Sequence, residues 1–491
     1  MAKVSSSICH VSVLLLFVQP QEERIGWRLK RLFRCLYVKS NEQFLCRSSG
    51  PTFIKLGQWA STRRDIFSKE FCDRMSILHT KSRRQQRFRE CDRVFDELFG
   101  EGFAKNYKKD VFLYIEPYSI GSGCISQVIV VYASISAVTG RTYPQLAGCE
   151  KRDVVIKVKP GVEDEINLDL SILRNAITLL MKVVPSLEYM EPLSALSQFE
   201  VVLRRQVDLR YEARALLRFS KNFDHKKTGI KFPLVIGYTK DVLLETFEDG
   251  ICINRLVSEE KDSELVPFLS LLVRKRIALL GARALLKMIF VDNFVHGDLH
   301  PGNILIRDNE RLSGVHVAPR NETLFRRGLE LFRDLIGWRA SALVRFTDSP
   351  ELADEPTLIM LDTGIVFSET ENCLRSLKAL FRAIIDKQGY KAGEMLLAHA
   401  ENRRNCSNPH EFCMQVDRLV ARAMKERSLR KMNISTLLSE LFSLVAAYNV
   451  YLDSSFTSVV LSVMVLEGLG RSLDPDIDLF QCARPYLLNM V

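Results

Sequence analysis

Short apolar runs and long helical periodicities follow one another along the chain. Three runs rich in β-branched residues, separated by turn-forming residues, predict an antiparallel sheet: 111–115, 127–133 and 153–158. Another run, at 241–246, predicts a further strand before the sequence EDG. Apolar positions recur at helical spacing over 162–184 and 194–221, which predicts two long helices. After about residue 262 the pattern is mainly helical.

This order of elements predicts an α+β fold of two lobes, a small sheet-rich part followed by a large helical part. We place a charged helical extension at 45–110, the sheet-rich lobe at 111–250 and the helical lobe at 251–491. The segment 308–356 lies between two short apolar runs and is expected to be an insertion in the second lobe.

The first 44 residues form a separate N-terminal segment. The apolar run at 8–18 is too short to cross a bilayer. Residues 22–39 place Leu and Phe on one helical face and Arg on another, which suits an anionic membrane surface or organelle import. A helix packed on the protein body with a solvated basic side explains the pattern equally well. Nowhere do 18 apolar residues run uninterrupted, which argues against a protein with several membrane spans.

Composition narrows the class of protein only slightly. The chain has 491 residues, 47% of them hydrophobic, which is ordinary for a protein with a buried core. Its formal net charge of +10 favours anionic partners such as nucleotides or phospholipid surfaces. The 12 cysteines are scattered without a C-x-x-C pair, which indicates free thiols in a reducing compartment.

The sequence FVHGDLHPGN (294–303) carries the strongest chemical signal. Asp298 and Asn303 lie five positions apart in a loop between apolar residues, which is the spacing of the kinase catalytic loop. Asp298 would be the catalytic base and Asn303 a metal ligand. A zinc site built on His296 and His300 is the alternative, but the Gly and Pro residues of the loop disfavour the helix that this spacing needs.

A second carboxylate follows in the sequence LIMLDTGIV. Asp362 ends an apolar run, and the next glycine lets the chain turn. Taken alone, this is an ordinary turn. Together with Asn303 it offers the hard oxygen ligands that Mg²⁺ prefers, so we expect Asn303 and Asp362 to hold the metal.

The sheet-rich lobe is expected to hold the nucleotide. The sequence SIGSGCISQV (119–128) places small residues between two strands, where backbone amides could approach phosphates, although a plain hairpin explains it as well. The candidate cofactor-binding residues of this loop are Gly121, Ser122, Gly123, Cys124 and Gln127.

Lys157 in VVIKV matches the V-A-I-K position, whose ammonium holds the α and β phosphates. A strand lysine that points to solvent is the alternative. Its carboxylate partner should lie on a following helix, with Glu212 as the candidate and Glu200 as the reserve. The sequence LLETFEDG would connect the lobes and offer backbone groups from Glu245 to Phe247 to the adenine.

The sequence GPTFIKLGQWASTR (50–63) resembles the K-x-G-Q signature of the UbiB, or aarF-domain-containing, family of atypical kinases. Its fixed positions are Lys55, Gly57 and Gln58. The other motifs follow in the order of that family: a small-residue loop at Gly121, V-x-I-K at Lys157, an acidic helix motif at Asp208, HGDLHPGN at Asp298 and D-x-G at Asp362. The resemblance covers roughly residues 45–470 and is strongest to the aarF-domain-containing kinase 2 branch.

The resemblance implies a protein-kinase-like fold whose extension lies over the active site, with Lys55 and Gln58 there. It implies ATP and Mg²⁺ as cofactors and a mitochondrial, membrane-associated location. The implied partners are a lipid or isoprenoid-quinone-related small molecule, an anionic membrane surface and proteins of quinone biosynthesis, and not nucleic acid.

Two positions depart from the family pattern. The E-x-D motif begins with Gln206, although Asp208 and the downstream Glu212 are kept. A contact between the first acid and Lys55 would then be neutral, and Lys55 could turn to Asp208 or to phosphate. The alanine-rich loop of the family is replaced by GSGC, as in ordinary kinases.

Three functions fit these motifs. The main hypothesis is an atypical kinase or ATPase that supports coenzyme Q or isoprenoid lipid metabolism, with protein substrates disfavoured by the extension. The second is a nucleotide-switched scaffold or lipid-binding protein without phosphotransfer. The third is a soluble small-molecule kinase of the aminoglycoside or choline type, against which the upstream sequence FIKLGQ argues.

Overall fold

The structure is a computed structural model that describes residues 51–63, 69–75, 78, 91–106, 111–115, 131–135, 153–159, 162–183, 192–253, 271–299, 301–307, 356–398, 400, 406–425, 434–448 and 450, and isolated positions between 463 and 486. The predicted N-terminal segment 1–44, the nucleotide loop from Gly121 to Gln127, His300 and almost all of the insertion 308–356 lie outside the described residues.

Among the described residues, four helices precede the sheet, as the charged helical pattern predicts. They are α1 (Pro51–Thr62), α2 (Lys69–Met75), α3 (Cys91–Phe99) and α4 (Phe103–Asn106). The helix α1 packs against α2, and its apolar face joins a core formed with two later helices. The K-x-G-Q segment is therefore an integral, buried part of the fold.

A five-stranded antiparallel sheet forms the first lobe. Its strands are β1 (Phe112–Ile115), β2 (Val131–Ile135), β3 (Asp153–Val158), β5 (Val235–Tyr238) and β6 (Val242–Thr246). They are ordered β1-β2-β3-β6-β5. The two central strands, β3 and β6, bury nearly every side chain, which explains their continuous β-branched and leucine sequences.

Three helices follow β3, where the apolar pattern predicts two. They are α5 (Glu163–Val183), α6 (Pro192–Val207) and α7 (Leu209–Asn222), with the short helix α8 (His225–Thr228) after them. The predicted helix 194–221 is wrong at Asp208, whose backbone is extended and whose carboxylate accepts a hydrogen bond from the Arg210 N–H. Asp208 is therefore an N-cap that starts a new helix.

A second sheet lies in the helical lobe. Its strands β4 (Ile230–Lys231), β7 (Ile251–Cys252), β9 (Ile304–Arg307) and β10 (Thr357–Met360) are ordered β4-β10-β9-β7. Two further strands, β8 (Val295–His296) and β11 (Val366–Phe367), pair with each other. Because β4 joins this sheet before β5 and β6 return to the first one, the chain crosses between the lobes inside the range 111–250.

Helices complete the second lobe around one large core. They are α9 (Leu271–Phe290), α10 (Glu371–Ile385), α11 (Gly389–Ala398), α12 (Pro409–Lys425) and α13 (Ile434–Ala447). Their apolar faces share this core with α7, β9 and β10. Among the described residues, none of the helices has the length and apolarity needed to cross a membrane. The architecture confirms the predicted α+β, two-lobed class with a helical extension.

Candidate functional site

Lys157 lies on β3, on the face of the first sheet that also carries Glu245 of β6. In the antiparallel pair, Lys157 lies opposite Leu243 and Val155 opposite Glu245, so these four side chains share one face. Glu212 reaches the same point from the first turn of α7. The alternative, that Lys157 points to solvent, does not hold in the structure, because the Lys157 side chain is buried.

The Lys157 ammonium contacts two carboxylates. Its Nζ lies 2.7 Å from Glu212 Oε1 and 3.0 Å from Glu245 Oε1. The reserve candidate Glu200 is not a partner of this cluster in the structure; its oxygens bind Arg174 and Arg204 on the surface between α5 and α6. The sequence therefore led to Glu212 but missed the side chain of Glu245.

The pKa values of Lys157, Glu212 and Glu245 reflect this excess of carboxylates over ammonium groups. Burial acts to lower the pKa of Lys157, but the nearby charges of Glu212, Glu245 and Asp362 outweigh it and raise that pKa. Burial raises the pKa of Glu212 to about 7, because Lys157 offsets the effect only in part and Asp362 adds to it. Burial also raises the pKa of Glu245. One ammonium cannot neutralise three carboxylates, so the cluster favours an extra proton.

The candidate catalytic loop, which contains Asp298 and Asn303, is fixed by His296, which is fully buried at the end of β8. Its Nε2 lies 3.0 Å from the Leu361 carbonyl oxygen, and the Asp298 N–H donates to its Nδ1 at 3.2 Å. A carbonyl can only accept, so Nε2 carries the proton and the ring is the neutral tautomer. His296 thus connects the loop to Leu361, and both of its ring nitrogens are hydrogen-bonded.

Asn303 closes the same loop. The Asn303 Nδ2 donates a hydrogen bond to the Asp298 carbonyl oxygen at 3.1 Å, and the Asn303 Oδ1 takes no part in this bond. Its backbone carbonyl accepts the Leu361 N–H at 2.8 Å. The Leu361 backbone is therefore hydrogen-bonded to both His296 and Asn303. Leu361 directly precedes Asp362. The catalytic loop and the D-x-G segment are joined at this residue.

Gly297 is required by a close approach inside the loop. A Cβ atom added there would lie 2.1 Å from Phe367 Cε2 and 2.8 Å from Ile365 Cγ2. The Gly297 N–H also donates to the Ile365 carbonyl oxygen at 2.9 Å. A side chain at 297 would push the segment after Asp362 away from the loop.

Asp362 has a backbone conformation that L-residues rarely adopt. Its φ is +52°, and the residue is exposed. The next residue, Thr363, is fully buried and donates its hydroxyl to the Glu212 carbonyl oxygen at 3.3 Å. Such backbone strain persists where surrounding bonds fix it, here by Leu361 on one side and Thr363 on the other. The D-x-G segment is thereby tied to α7.

The donor set of Asn303 and Asp362 fits Mg²⁺. Both would offer oxygen, and Mg²⁺ typically takes one or two protein oxygens besides water and phosphate oxygens. Across the described ranges, no group of three or more His, Cys, Asp or Glu side chains is arranged to hold a metal. The described residues therefore give no support to a zinc site, and both ring nitrogens of His296 are hydrogen-bonded to backbone groups.

Two backbone N–H groups at the connection between the lobes have partners in the first lobe. The Thr246 N–H bonds the Leu234 carbonyl, and the Phe247 N–H bonds the Asp153 carbonyl at 2.8 Å. These donors are thus used within the first lobe, because β6 extends its pairing past Glu245. The contact of adenine with the Glu245–Phe247 backbone stays a prediction, and it would have to use groups other than these two N–H groups.

Glu248 fixes the connection to the second lobe. Its buried carboxylate lies 2.7 Å from Lys231 Nζ and 3.0 Å from Arg307 Nη2, at the end of β9. The Thr246 hydroxyl also donates to it. No pattern in the sequence pointed to this residue, because its partners come from two distant strands.

The K-x-G-Q helix packs on the helix that carries the altered acidic motif. The helix α1 contacts α6, and Gln206 lies half-buried in the last turn of α6. Gln58 is buried and donates to the Leu78 carbonyl at 2.9 Å, Gly57 is buried, and Lys55 is half-buried. The position of Lys55 and Gln58 over the active site stays a prediction.

Asp208 has a local partner. Arg210 Nη2 lies 2.7 Å from Asp208 Oδ2. Burial acts to raise the pKa of Asp208, but the hydrogen bonds from Arg210 outweigh it and hold that pKa below its usual value. The proposed exchange of partners between Lys55 and Asp208 would have to compete with Arg210.

Comparison with known proteins identifies two domains of one family. Residues 85–318 match the ABC1 atypical kinase-like domain, and residues 418–478 match the UbiB helical domain. The first match contains Lys157, Glu212 and the catalytic loop, and Asp362 follows it. The match to the kinase-like domain therefore covers the V-x-I-K, acidic-helix and HGDLHPGN motifs, whereas the K-x-G-Q motif precedes it.

Two relatives from yeasts are similar over most of this chain. The "ABC1 family protein YPL109C, mitochondrial" of Saccharomyces cerevisiae is 30% identical over 89% of this chain and 66% of its own length. The "ABC1 family protein C21C3.03, mitochondrial" of Schizosaccharomyces pombe is 29% identical over 89% of this chain and 63% of its own length. The chain thus spans slightly less than two thirds of the curated relatives it matches.

A solved structure shares the fold. The protein in "The complex structure of Rv3197-erythromycin from Mycobacterium tuberculosis" matches with a TM-score of 0.50 and 14% identity, covering 93% of this chain and 97% of that one. At this identity the likeness concerns architecture alone. With the kinase-like domain and the UbiB helical domain both present in one chain, this protein belongs to the ABC1/UbiB family of atypical kinase-like proteins.

Proposed function

We propose that this protein binds ATP with Mg²⁺ and acts as an atypical kinase or ATPase on a small, lipid-linked molecule. The observation that carries this proposal is the joined set of contacts around the cleft. The Lys157 ammonium pairs with the Glu212 carboxylate, and the Glu212 backbone carbonyl accepts a hydrogen bond from the Thr363 hydroxyl. The Leu361 backbone is hydrogen-bonded to both His296 and Asn303. These contacts connect the residues that we propose as phosphate clamp, metal ligands and catalytic loop.

Each residue has a distinct proposed role. Lys157 would bind the α and β phosphates, and Asn303 and Asp362 would hold Mg²⁺, which neutralises phosphate charge when bound. Asp298 would orient the acceptor hydroxyl or water and take its proton, from a position that Asn303 and His296 fix through its backbone. The loop from Gly121 to Gln127 would cover the phosphates.

The proposed cellular role comes from the family. Relatives named mitochondrial support a mitochondrial location. The resemblance to the UbiB family suggests a link to isoprenoid quinones such as coenzyme Q. A lipid-linked acceptor, an anionic membrane surface and quinone-biosynthesis proteins would then be the partners.

A nucleotide-switched scaffold without phosphotransfer is the second candidate. It is favoured by the enclosure of Lys157 between two buried carboxylates, which a bound nucleotide would rearrange. In that case ATP binding alone would change the conformation of the cleft.

The test is ADP release from Mg-ATP by the full chain, with vesicles containing an anionic phospholipid, for wild type and Asp298→Asn. We expect turnover that is lost by at least about 100-fold in the variant, as for removal of a general base. Asp386→Asn, which neutralises an exposed aspartate at the end of α10, is the matched control and should keep the wild-type rate. Equal rates for wild type and Asp298→Asn would refute the catalytic proposal.

The link to quinones needs a separate experiment in cells that lack the protein. We expect isoprenoid quinone levels to fall and to be restored by wild type but not by Asp298→Asn. Restoration by the variant would favour the scaffold, and unchanged quinones in the null cells would remove the link.

A further inference from the structure

Glu245 is a second carboxylate on the lysine that is proposed to hold phosphate. Its Oε1 lies 3.0 Å from Lys157 Nζ, and its side chain is 4% exposed. The contact is made across neighbouring strands, since Glu245 lies opposite Val155, two residues before Lys157. Both side chains therefore occupy the same face of the sheet, beside α7.

Glu212 and Glu245 are held differently. Glu212 belongs to α7, whose apolar side is part of the large core, and its backbone carbonyl accepts the Thr363 hydroxyl. Glu245 has Lys157 as the partner of Oε1, whereas its Oε2 is buried without a hydrogen-bond partner within the described part of the chain. A buried oxygen without a donor is costly, so Glu245 is the carboxylate whose contact is more easily given up.

We propose that Glu245 occupies Lys157 in the nucleotide-free protein and competes with the phosphates of the nucleotide for its ammonium. The inference rests on the proposed nucleotide binding. It adds that the Glu245 carboxylate lowers the affinity of the protein for the nucleotide. Glu212 positions Lys157, and Glu245 stands where a phosphate oxygen would bind.

The competition follows from the number of donors and from charge. A lysine ammonium has three N–H donors, and two of them are directed to Glu212 and Glu245. An incoming phosphate must therefore share Lys157 with two carboxylates, and it also meets the charge of Asp362. A residue that only stabilised the fold would not be expected to oppose phosphate binding in this way.

The two carboxylates consequently predict opposite effects. Glu245→Gln keeps the size and the Oε1 acceptor but removes a charge next to the phosphate site, so we expect Mg-ATP to bind about tenfold tighter. Glu212→Gln weakens the charge-assisted bond that orients Lys157, so we expect Mg-ATP to bind about tenfold weaker. A purely electrostatic effect would tighten binding in both variants.

The experiment measures Kd by calorimetry on the full chain, with Mg-ATP and with magnesium tripolyphosphate as the two probes. Glu248→Gln is the matched control. Glu248 is a buried carboxylate three residues after Glu245, and it pairs with Lys231 and Arg307 and not with Lys157. We expect the gain from Glu245→Gln with both probes and no gain from Glu248→Gln. The thermal midpoint of each nucleotide-free variant shows that it is folded.

Several results would overturn the inference. Unchanged or weaker Mg-ATP binding by Glu245→Gln contradicts competition, and so does an equal gain in Glu212→Gln or Glu248→Gln. A gain with Mg-ATP but none with tripolyphosphate means that Glu245 acts on the base and not on phosphate. If Glu245→Gln is unfolded, Glu245→Met is used with the same expectation. Absence of binding by every variant, wild type included, refutes the proposed nucleotide binding itself and the competition with it.

Discussion

At the scale of single residues, one buried ammonium faces more negative charge than it can neutralise. Lys157 contacts Glu212 and Glu245, and the charge of Asp362 acts on all three. Two carboxylates without their ammonium would be uncompensated charges in a buried site. The cluster is therefore both a candidate phosphate clamp and a point at which single substitutions should affect stability.

Removal of the ammonium should be strongly destabilising. We expect Lys157→Met to lower the free energy of unfolding by about 3–5 kcal/mol at pH 8, because breaking a buried pair leaves the partner charges unpaired. Urea denaturation followed by circular dichroism measures the change. Adding Glu212→Gln and Glu245→Gln should recover about half of the loss. A loss below about 1 kcal/mol would show that Lys157 does not neutralise these carboxylates.

The raised pKa of Glu212 predicts how stability changes with pH. Burial raises the pKa of Glu212 from 4.5 to about 7 in the folded protein. Between these values the unfolded chain has released a proton that the folded protein keeps, so the contribution of Glu212 to stability falls as pH rises through this window. We expect the free energy of unfolding of Glu212→Gln, minus that of wild type, to rise from pH 4.5 to pH 7 and to level off above it.

Glu200 is the matched control for this titration. Hydrogen bonds from Arg204 and Arg174 hold the pKa of Glu200 below its usual 4.5, against the effect of burial. Its stabilising contribution is present above pH 4.5 and is lost as pH falls through the folded pKa. Glu200→Gln should therefore differ from wild type in a pH-dependent way only below about pH 4.5. A flat difference for Glu212→Gln between pH 4.5 and 7 would contradict the assignment.

The sequence predicted Lys157 and Glu212 as partners but not Glu245 as a third member. The V-x-I-K pattern and an acidic residue on a following helix are local signals. The contact of Glu245 depends on the register between β3 and β6, which the sequence alone does not reveal. The same reason explains why Glu248 was missed.

At the scale of elements, helices were predicted well where apolar residues repeat over several turns. The helix α5 runs over 163–183, close to the predicted 162–184. The break at Asp208 was missed, because the apolar pattern continues across it and only the capping geometry reveals it. Strands of two residues, such as β4, β7 and β11, have no periodicity of their own and depend on their partners.

The contact between α11 and α12 depends on a small residue. A Cβ added at Gly393 would lie 2.8 Å from Cys413 Cα and 3.2 Å from its Sγ, so backbone and side chain both obstruct it. We expect Gly393→Ala to lower the free energy of unfolding by about 1–2 kcal/mol, the cost of overpacking less the better helix propensity of alanine. Thermal unfolding measures the loss.

Lys391→Ala, on the exposed side of the same helix, is the control and should change stability little. Equal stability of Gly393→Ala and wild type would mean that α11 and α12 can separate without cost. A larger loss, beyond about 3 kcal/mol, would indicate that the helix pair cannot relax.

At the scale of the whole molecule, the described residues form three hydrophobic cores. One fills the helical lobe, one lies between α3, α4 and the first sheet, and one joins α1 and α2 to α5 and α6. Composition indicated a buried core but not its division. The division matters because the K-x-G-Q helix, which the family resemblance assigns to the active site, is held by the third core.

Loss of the third core should therefore separate α1 and α2 from the rest of the protein. Phe53 on α1 is fully buried there, and Phe53→Ala should cost about 3–5 kcal/mol within that core. Because the other two cores contain no residue of α1, we expect calorimetry to show a new transition below the main one, with early proteolysis near α1. Val201→Ala, half-exposed on α6, is the control and should leave a single unchanged profile. If Phe53→Ala instead shifts one cooperative transition as a whole, α1 and the lobes unfold as one unit, and the K-x-G-Q helix is part of the structure that holds the candidate catalytic loop and the Lys157 cluster together.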